Sequence, residues 1–382
     1  MRQWQTVELG NVMRVHIDAV PSTSLTTVNL AGVYGFGRGL FQRGPISPQE
    51  TTYKNFHRLN ADDFVISSPK AWEGALARIP DEMDGWYLSP VFPTFRATDD
   101  LDTRYLDWYC KRETVWRQLQ GKAKGMGARR ESVSPAQFLS LEIPLPPLAE
   151  QQAIVSRLDT LADKVRQVNE HLDAIERDAD RLLAVRFRDA IADAPVRPMA
   201  AVAPLVRREI AIELEGSYPE LGIRSFGKGT FHKPPLSGAD VGTKRLFSIE
   251  PGDLLFSNVF AWEGAIAIAQ PEDSGRFGSH RFITCRVDPE VTSPEFLRYY
   301  FLTDAGLEKI GEASPGGAGR NRTLGLEKLM AIQVPIPSPA TQRTFDLLQT
   351  KVAELKARHA TIRQANDALI PATLERVFSE AH

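Results

Sequence analysis

The chain has 382 residues, of which 42% are hydrophobic and 25% are charged, and its formal net charge is −2. A chain of this length can bury two or three hydrophobic cores. The balanced charge argues against a protein that coats DNA non-specifically through electrostatics, although local basic surfaces are compatible with it.

The chain start and the cysteines bear on where the protein works. Met1–Gln5 lack the apolar core of a signal peptide, and no apolar run approaches the length of a membrane span. Cys110 and Cys285 lie far apart in the sequence. We therefore expect a cytoplasmic protein without membrane association, in which both thiols are buried as small apolar side chains and form neither a disulfide nor a metal site.

An internal repeat is the most informative feature of the sequence. Ala-Trp-Glu-Gly-Ala occurs at residues 71–75 and again at 261–265, an offset of 190 residues. Seven of the fourteen positions in 64–77 are identical to their counterparts in 254–267. Farther along, the offset becomes 191 and Gln151 aligns with Gln342. Such a long repeat indicates one module present twice.

Each repeat begins with strand-rich sequence and continues into helices. In the first copy, apolar β-prone segments at 64–67, 76–79 and 91–96 alternate with Gly, Pro and Asp turns, and a helix is predicted over about 103–120. The second copy starts its equivalent helix at Ser293-Pro294, an N-cap followed by proline in the first turn. The pattern predicts two similar α+β modules.

A proline-rich junction at 144–147 is followed by heptad sequence. The predicted apolar seam of this first helix consists of Ile154, Leu158, Leu161, Val165, Val168, Leu172, Ile175, Ala179 and Leu182. The seam of the second helix consists of Phe345, Leu348, Val352, Leu355, His359, Ile362, Asn366 and Leu369, after which Pro371 is expected to stop or kink the helix. Spacings of four and three predict a coiled coil. Its polar positions, His359 and Asn366, either fix register or lie at a wet end.

The two long helices most economically pair antiparallel, which gives a single chain pseudo-twofold symmetry. The predicted organisation is a first module at residues 1–147, a first spacer helix at 148–194, a second module at 195–338 and a second spacer helix at 339–382.

The sequence offers little chemistry of its own. It contains no Walker phosphate loop, no His-Glu-x-x-His and no closely spaced Cys/His set. The nearest feature to a cofactor loop is the glycine cluster Gly35–Gly39, which the second copy repeats at 226–229. We interpret the cluster as a turn with positive φ, and keep an S-adenosylmethionine loop as the alternative.

These features together resemble the specificity subunit of type I restriction-modification systems. The resemblance rests on the duplication, the heptads, the segment Ile-Pro-Leu-Pro-Pro-Leu-Ala-Glu-Gln-Gln at 143–152 and its variant Val-Pro-Ile-Pro-Ser-Pro-Ala-Thr-Gln-Arg at 334–343. It also includes the glycine-rich basic approaches at 125–130 and 316–322. The second helix departs from the simplest pattern through its polar seam positions.

The resemblance implies a non-catalytic chain whose two modules are target-recognition domains, each recognising one half of a split double-stranded DNA sequence. It implies that the helices set the distance between the halves. Two methyltransferase subunits would bring S-adenosylmethionine and the catalytic residues, and two translocase-nuclease subunits would bring ATP hydrolysis. No cofactor, metal or catalytic residue is expected in this chain.

Basic residues at equivalent positions of both copies suit contacts to phosphates, which position a protein on DNA without specifying sequence. These candidates are Arg38 and Lys228, Lys54 and Lys244, Arg96 and Arg286, and Arg129 and Arg320. Base recognition belongs where the copies differ. The candidates are Lys70, Trp86, Arg130, Phe260, Arg276, His280, Arg281 and Arg322.

Two other functions remain open at this point. A structural adaptor could use the coil to hold two protein-binding modules apart, and it would show no salt-dependent DNA binding. A self-sufficient methyltransferase would depend on Gly35–Gly39 as a cofactor loop, and the isolated chain would then bind S-adenosylmethionine.

Overall fold

A computed structural model describes residues 4–122, 132–316 and 322–379. The chain divides into two compact units, which we call unit 1 (Met1–Asp173 with His359–His382) and unit 2 (Ala174–Arg358). Each unit contains one module and a stretch of each long helix. Among the described residues, no helix combines the length and the apolar character that a membrane span requires.

Unit 1 is built from short strands followed by helices. Its elements are β1 (Gln5–Glu8), β2 (Met13–Val15), β3 (Asp18–Pro21), β4 (Val28–Val33), β5 (Leu40–Ile46), β6 (Asn55–Arg58), β7 (Phe64–Ile66), β8 (Leu76–Arg78), β9 (Tyr87–Leu88), β10 (Thr94–Ala97), α1 (Thr103–Cys110), α2 (Glu113–Lys122), α3 (Pro135–Leu139), β11 (Glu142–Leu145) and the start of α4 (Leu148–Ile191). They form sheets with strand orders β1-β11, β2-β10-β7-β8 and β3-β6-β9-β4-β5.

Unit 2 repeats this plan. After α4 it contains β12 (Val196–Pro198), α5 (Met199–Val202), β13 (Ser217–Ile223), β14 (Thr230–Ser237), α6 (Gly238–Val241), β15 (Leu246–Ser248), β16 (Leu254–Ser257), β17 (Ile266–Ile268), β18 (Phe277–Ser279), β19 (Phe282–Cys285), α7 (Pro294–Leu302), α8 (Asp304–Glu312), α9 (Leu326–Ala331), β20 (Gln333–Pro335) and the start of α10 (Pro339–Ser379). The sheets are β12-β20, β14-β13-β18-β15 and β17-β16-β19.

The repeat in sequence is a repeat in strand pairing. Phe64 pairs with Arg78 across β7 and β8, and their counterparts Leu254 and Ile268 pair across β16 and β17. Parallel pairing joins β4 to β9 in unit 1 and β13 to β18 in unit 2. The copies therefore share register as well as composition, because apolar residues at equivalent positions face equivalent cores.

Buried glutamines anchor the long helices to their modules. Gln151 is fully buried; its side-chain oxygen accepts from the Asp102 N–H, and its amide donates to the carbonyls of Asp100 and Pro146, all at 2.9 Å. The amide of Gln342 makes the equivalent donations to the carbonyls of Val291 and Pro337, while its oxygen accepts from the Thr292 hydroxyl. A satisfied buried amide fixes the angle at which each helix leaves its proline junction.

The long helices run antiparallel within each unit. In unit 1, Asp173 of α4 lies 2.7 Å from Arg363 of α10 in an ion pair, and Asn366 donates to the side chain of Asn169 at 3.2 Å. In unit 2, Asp180 pairs with Lys356 at 2.6 Å. Residue numbers rise on α4 while they fall on α10, so the predicted antiparallel pairing is confirmed within each unit.

The contact line between the helices differs from the predicted seam. Buried seam positions are Ile154, Leu158, Leu172, Phe345, Val352, His359 and Asn366, whereas Leu161, Val165, Ala179, Leu348 and Leu355 are half-buried. The predicted members Val168, Ile175, Leu182, Ile362 and Leu369 are 38–46% exposed. The prediction was wrong for those five, because neighbouring residues such as Asn169 and Leu183 occupy the contact instead. The apolar stripe is thus wider than a two-helix coil uses.

Each module is completed by a helix that arrives from the other half of the sequence. Leu374 and Phe378, near the end of α10, belong to the core of unit 1, and Phe378 packs edge-on against Tyr105 and Tyr109. In unit 2, Phe187 of α4 occupies the equivalent place beside Phe296. Helix α10 therefore continues past Pro371, and the helix does not stop at this proline. Proline lacks the backbone N–H that a helix uses, and burial of Leu374 and Phe378 offsets this loss.

Both cysteine thiols are buried, as predicted. Burial raises the pKa of Cys285 to about 12 and also raises that of Cys110. The thiolate is therefore disfavoured at neutral pH in both. Within the described residues, no group of three or more His, Cys, Asp or Glu side chains is placed to hold a metal ion.

Candidate nucleic-acid interface

The repeated Ala-Trp-Glu-Gly-Ala segment forms the same turn in both modules. Residues Ala71–Glu73 and Ala261–Glu263 form short 3-10 helices, closed by Gly74 and Gly264 at φ 76° and 75°. A Cβ on Gly74 would lie 2.5 Å from the ring of Trp116, so a glycine is required there. The Trp72 indole donates to the carbonyl of Pro69 at 3.1 Å, and Trp262 donates to Val259 at 3.0 Å.

Two further segments join the start of each turn. In the first module, the Ser68 N–H donates to Val91 at 3.0 Å and its carbonyl accepts from Val133 at 2.8 Å. In the second, the Asn258 N–H donates to Arg281 and its carbonyl accepts from Leu324, both at 2.8 Å. The segments that follow the glycine-rich stretches thus return to equivalent points in the two modules.

The glycine cluster closes on the end of each turn. The N–H groups of Phe36 and Gly37 donate to the carbonyls of Glu73 and Gly74 at 2.7 and 2.9 Å. Phe226 and Gly227 repeat these bonds at 2.8 Å. The cluster is a tight turn with positive φ at Phe36, Gly37 and Gly39, which confirms its interpretation as a turn. We call the surface formed by residues 36–39, 68–75 and 91 of the first module, and by 226–229, 258–265, 281 and 322 of the second, the turn face.

The turn face carries several of the predicted DNA-contacting side chains. In the first module, Arg38 is exposed and Lys70 is 62% exposed, with its ammonium 2.8 Å from Glu73. In the second, Lys228 and Arg281 are exposed, and Arg322 lies over the Trp262 ring at 5.4 Å. Phe260, the counterpart of Lys70, is 41% exposed. Cationic side chains therefore lie around the turn in each module, and the second module adds the exposed ring of Phe260.

Other predicted residues serve the modules internally. Arg96 forms a bidentate ion pair with the buried Asp63, at 2.8 and 3.1 Å, and this bond raises the pKa of Arg96. Trp86 packs against the apolar cluster around Leu59 and Met83. Arg276 donates to the carbonyls of Glu220 and Lys233. These three side chains already have contacts within their module, and their predicted role on DNA stays a prediction.

The remaining candidates are dispersed or lie outside the described residues. Lys54, Lys244, Arg286 and His280 are exposed and do not belong to the turn face. Arg129, Arg130 and Arg320, together with most of the two glycine-rich approaches, lie outside the described residues. For these three arginines the predicted role stays a prediction.

Several functional features were not evident from the sequence. Asp253, the counterpart of Asp63, is held by Arg208 at 2.6 and 3.2 Å, so the two copies pair equivalent buried carboxylates with arginines from positions that are not equivalent. The exposure of Phe36 and Phe226 was also missed, although both phenylalanines stand at aligned positions inside the glycine cluster. The alignment of these two phenylalanines was the feature of the sequence that could have drawn attention to them.

Comparison with known proteins gives a match over the first repeat. Residues 1–177 match the family model described as the type I restriction modification DNA specificity domain. This match covers the first repeat, which is therefore similar to type I restriction-modification specificity domains. The resemblance stated from its motifs is thereby confirmed, and the second half of the chain repeats the fold of this specificity domain.

Individual relatives agree with this assignment. A putative type I restriction enzyme MjaX specificity subunit from Methanocaldococcus jannaschii is 26% identical over 183 residues, 47% of this chain and 41% of that protein. The chain thus matches less than half of the length of this relative.

Solved structures extend the likeness over the fold. The HsdS subunit from Thermoanaerobacter tengcongensis has a TM-score of 0.61 and 20% identity, covering 99% of this chain and 97% of its own. A second structure, from work on complex assembly and conformational transition of the type I restriction-modification system, has a TM-score of 0.69 and 20% identity over 98% and 97%. They confirm the predicted fold of two mixed α/β modules joined by two long helices.

Proposed function

We propose that this chain is the non-catalytic DNA-recognition subunit of a type I restriction-modification complex. Each module recognises one half-site of a bipartite target, and the helices dock two methyltransferase subunits. S-adenosylmethionine and ATP belong to the partner subunits. The observation that carries the proposal is the duplicated turn face, in which one rigid geometry presents shared cations beside divergent side chains.

Shared and divergent positions suit different tasks on DNA. Arg38 and Lys228 keep a positive charge at the same place in both modules, as expected for contacts to phosphates. Arg281 replaces Val91, and Phe260 replaces Lys70, at places bonded into the same turns. A different set of donors on an identical scaffold allows each module to prefer its own bases.

Two equivalent grooves between the long helices support docking of two partner subunits. The groove of unit 1 is lined by Trp4, Glu150, Ala153, Ile154, Arg157, Leu158, Leu161, Leu369, Thr373, Arg376 and Val377. The groove of unit 2 is lined by Arg186, Asp189, Ala190, Thr341, Thr344, Phe345, Leu347, Leu348 and Lys351. Five positions correspond at the offset of 191, including Ile154 with Phe345 and Arg186 with Val377.

The exposed edge of the apolar stripe runs along these grooves. Leu369 is 44% exposed in unit 1, and Leu347 is 56% exposed in unit 2. Trp4, in the wall of the unit 1 groove, has an indole N–H without a partner among the described residues. An apolar stripe broader than a coiled-coil seam is typical of helices that pack in a larger bundle. One groove per unit therefore fits two copies of the same helical partner.

Separate substitutions should distinguish phosphate from base contacts. Arg38→Ala is expected to weaken binding to specific and non-specific DNA alike, and to lower the slope of log affinity against log salt by about 1. Arg281→Ala is expected to relax base preference in one half of the target only, at a cost of about 1–3 kcal/mol for the preferred base. Titrations at several salt concentrations and selection from a random library measure both effects.

The control for this pair is Arg181→Ala, which removes an exposed arginine of α4 that pairs only with Asp178 on its own helix, and which should change neither quantity. If Arg38→Ala altered only base preference, the division of roles would be wrong. Binding without salt dependence would favour a protein-binding adaptor.

Docking should respond to charge placed in one groove at a time. Leu369→Glu and Leu347→Glu are each expected to reduce the bound methyltransferase subunits from two to one, because burying an unpaired carboxylate is costly. Native mass spectrometry counts the subunits, and a methylation assay should detect transfer only when they are present. Leu214→Glu, which is 78% exposed in the second module, is the control.

Loss of both subunits from either single variant would contradict independent grooves. Methyl transfer by the chain alone, or direct binding of S-adenosylmethionine to it, would instead favour the self-sufficient methyltransferase.

A further inference from the structure

Phe36 and Phe226 hold exposed rings on a backbone conformation that phenylalanine seldom adopts. Their φ values are 62° and 61°, and the residues are 64% and 75% exposed. Asp62 is the other non-glycine residue with positive φ in the described part of the chain. A bulky side chain in the left-handed region costs free energy, and such outliers are often retained at functional sites. Both modules carry this cost at the same position.

Hydrogen bonds to neighbouring residues hold the backbone that carries each ring. The loop is closed by the bond from Tyr34 N–H to Gly39 and by its equivalent from Arg224 to Gly229, both at 2.9 Å. In the second module, Arg298 also donates to the Gly227 carbonyl, and burial lowers the pKa of this guanidinium. Together with the bonds to residues 73–74 and 263–264, these contacts fix the backbone from which each ring projects.

The neighbours of the rings are cationic. The Arg38 guanidinium lies 4.8 Å from the centre of the Tyr34 ring and 6.0 Å from that of Phe36. The Lys228 ammonium lies 5.9 Å from the centre of the Phe226 ring. In the first module, the ring of Trp116 supports Phe36 edge-on at 6.2 Å. An exposed apolar ring beside a cation suits a polyanion with a stacked apolar interior, which describes DNA.

We propose that Phe36 and Phe226 each insert between two stacked base pairs of the half-site bound by their module, while Arg38 and Lys228 hold the adjoining phosphates. The inference rests on the proposed function and deepens it. Because the residue is the same in both modules, the insertion does not distinguish the half-sites by direct contact. It opens one base step at a fixed offset in each, and favours steps that unstack easily, such as pyrimidine–purine steps.

Local unstacking is measured with 2-aminopurine, whose fluorescence rises when it leaves the base stack. The full chain with its methyltransferase partners is added to a duplex obtained by selection from a random library, with 2-aminopurine placed at successive positions. We expect one bright step in each half-site. Phe36→Ala should abolish one of them and Phe226→Ala the other, and each should weaken binding about tenfold. The salt slope should stay unchanged, since no charge is removed.

Two further variants separate insertion from folding defects. Phe36→Gly suits the positive φ, so it should keep or raise stability while losing the same bright step. Leu214→Ala removes an equally exposed apolar side chain elsewhere in the second module and should leave fluorescence and affinity unchanged.

The results that would overturn the insertion can be told apart from the result that would also overturn the proposed function. Normal DNA binding without brightening, or with brightening that persists in Phe36→Ala and Phe226→Ala, overturns the insertion. Loss of methyltransferase subunits in Phe36→Ala with unchanged fluorescence overturns it in favour of a protein contact. Failure of the unaltered complex to bind DNA overturns the proposed function together with the insertion.

Discussion

Phe378→Ala is expected to destabilise the first module by about 3–5 kcal/mol, although Phe378 follows the second module in the sequence. The side chain is fully buried, and its ring centre lies 5.5 Å from that of Tyr105 and 5.1 Å from that of Tyr109. The Arg112 guanidinium lies 5.4 Å from the same ring and pairs with Glu375. Removing the ring leaves a cavity among groups that cannot easily collapse into it.

Hydrogen exchange locates this loss, because it reports protection amide by amide. Phe378→Ala should reduce protection in α1 and β11, whereas the matched variant Phe187→Ala should do so in α7 of unit 2. Ser379→Ala, an exposed position on the same helix, should change stability by less than about 0.5 kcal/mol. Reduced protection in α7 but not in α1 after Phe378→Ala would contradict the assignment of α10 to the first module.

Seven residues inserted into both long helices are expected to lengthen the spacer of the DNA target by about three base pairs. The insertions belong after Asp173 in α4 and after Arg358 in α10, where the chain passes from one compact unit to the other. One heptad adds about 10 Å of helix and keeps the seam in phase. At about 3.4 Å per base pair, this length corresponds to about three base pairs. Both half-site sequences should be retained.

Selection of bound sequences from a random library measures the spacer. The control is a single inserted residue, which rotates the seam by roughly 100° and should disrupt the coil without lengthening the spacer smoothly. A heptad in one helix alone should also impair binding, since its seam then lacks a partner. An unchanged spacer with both heptads would mean that the helices do not set the distance between half-sites.

The parts of the fold that were predictable depend on local or periodic signals. The duplicated segment at 71–75 and 261–265 indicated two modules, and the heptads indicated the helices that the structure places at Leu148–Ile191 and Pro339–Ser379. Ser293 before Pro294 caps α7 as predicted, with its hydroxyl accepting from the Phe296 N–H at 3.0 Å. Each of these signals is contained within one stretch of sequence.

The parts that were missed depend on tertiary contacts. Arg96 looked free in the sequence, but its carboxylate partner Asp63 is 33 residues away and buried. Val168 and Ile175 have the spacing of a coiled-coil seam, but both are exposed. Next to Val168, it is Asn169 that contacts the facing helix. The turn face was only partly predictable, because Phe36 reaches the turn through a backbone bond to Glu73 and Arg322 reaches it by lying over the Trp262 ring. Neither contact leaves a local pattern in the sequence.

Each half of the sequence supplies the end of one long helix to the core of the other half, so the two cores are completed at different times during synthesis. Phe187 is translated before the strands of the second module, so its core can form around a side chain that is already present. Tyr105 and Tyr109 must wait for Phe378, which the ribosome adds roughly 10–50 s later at about 5–20 residues per second. During that interval the first module is an incomplete core with apolar surface open to water. We therefore expect the first module to become protected only after the last turns of α10 have been added to its core.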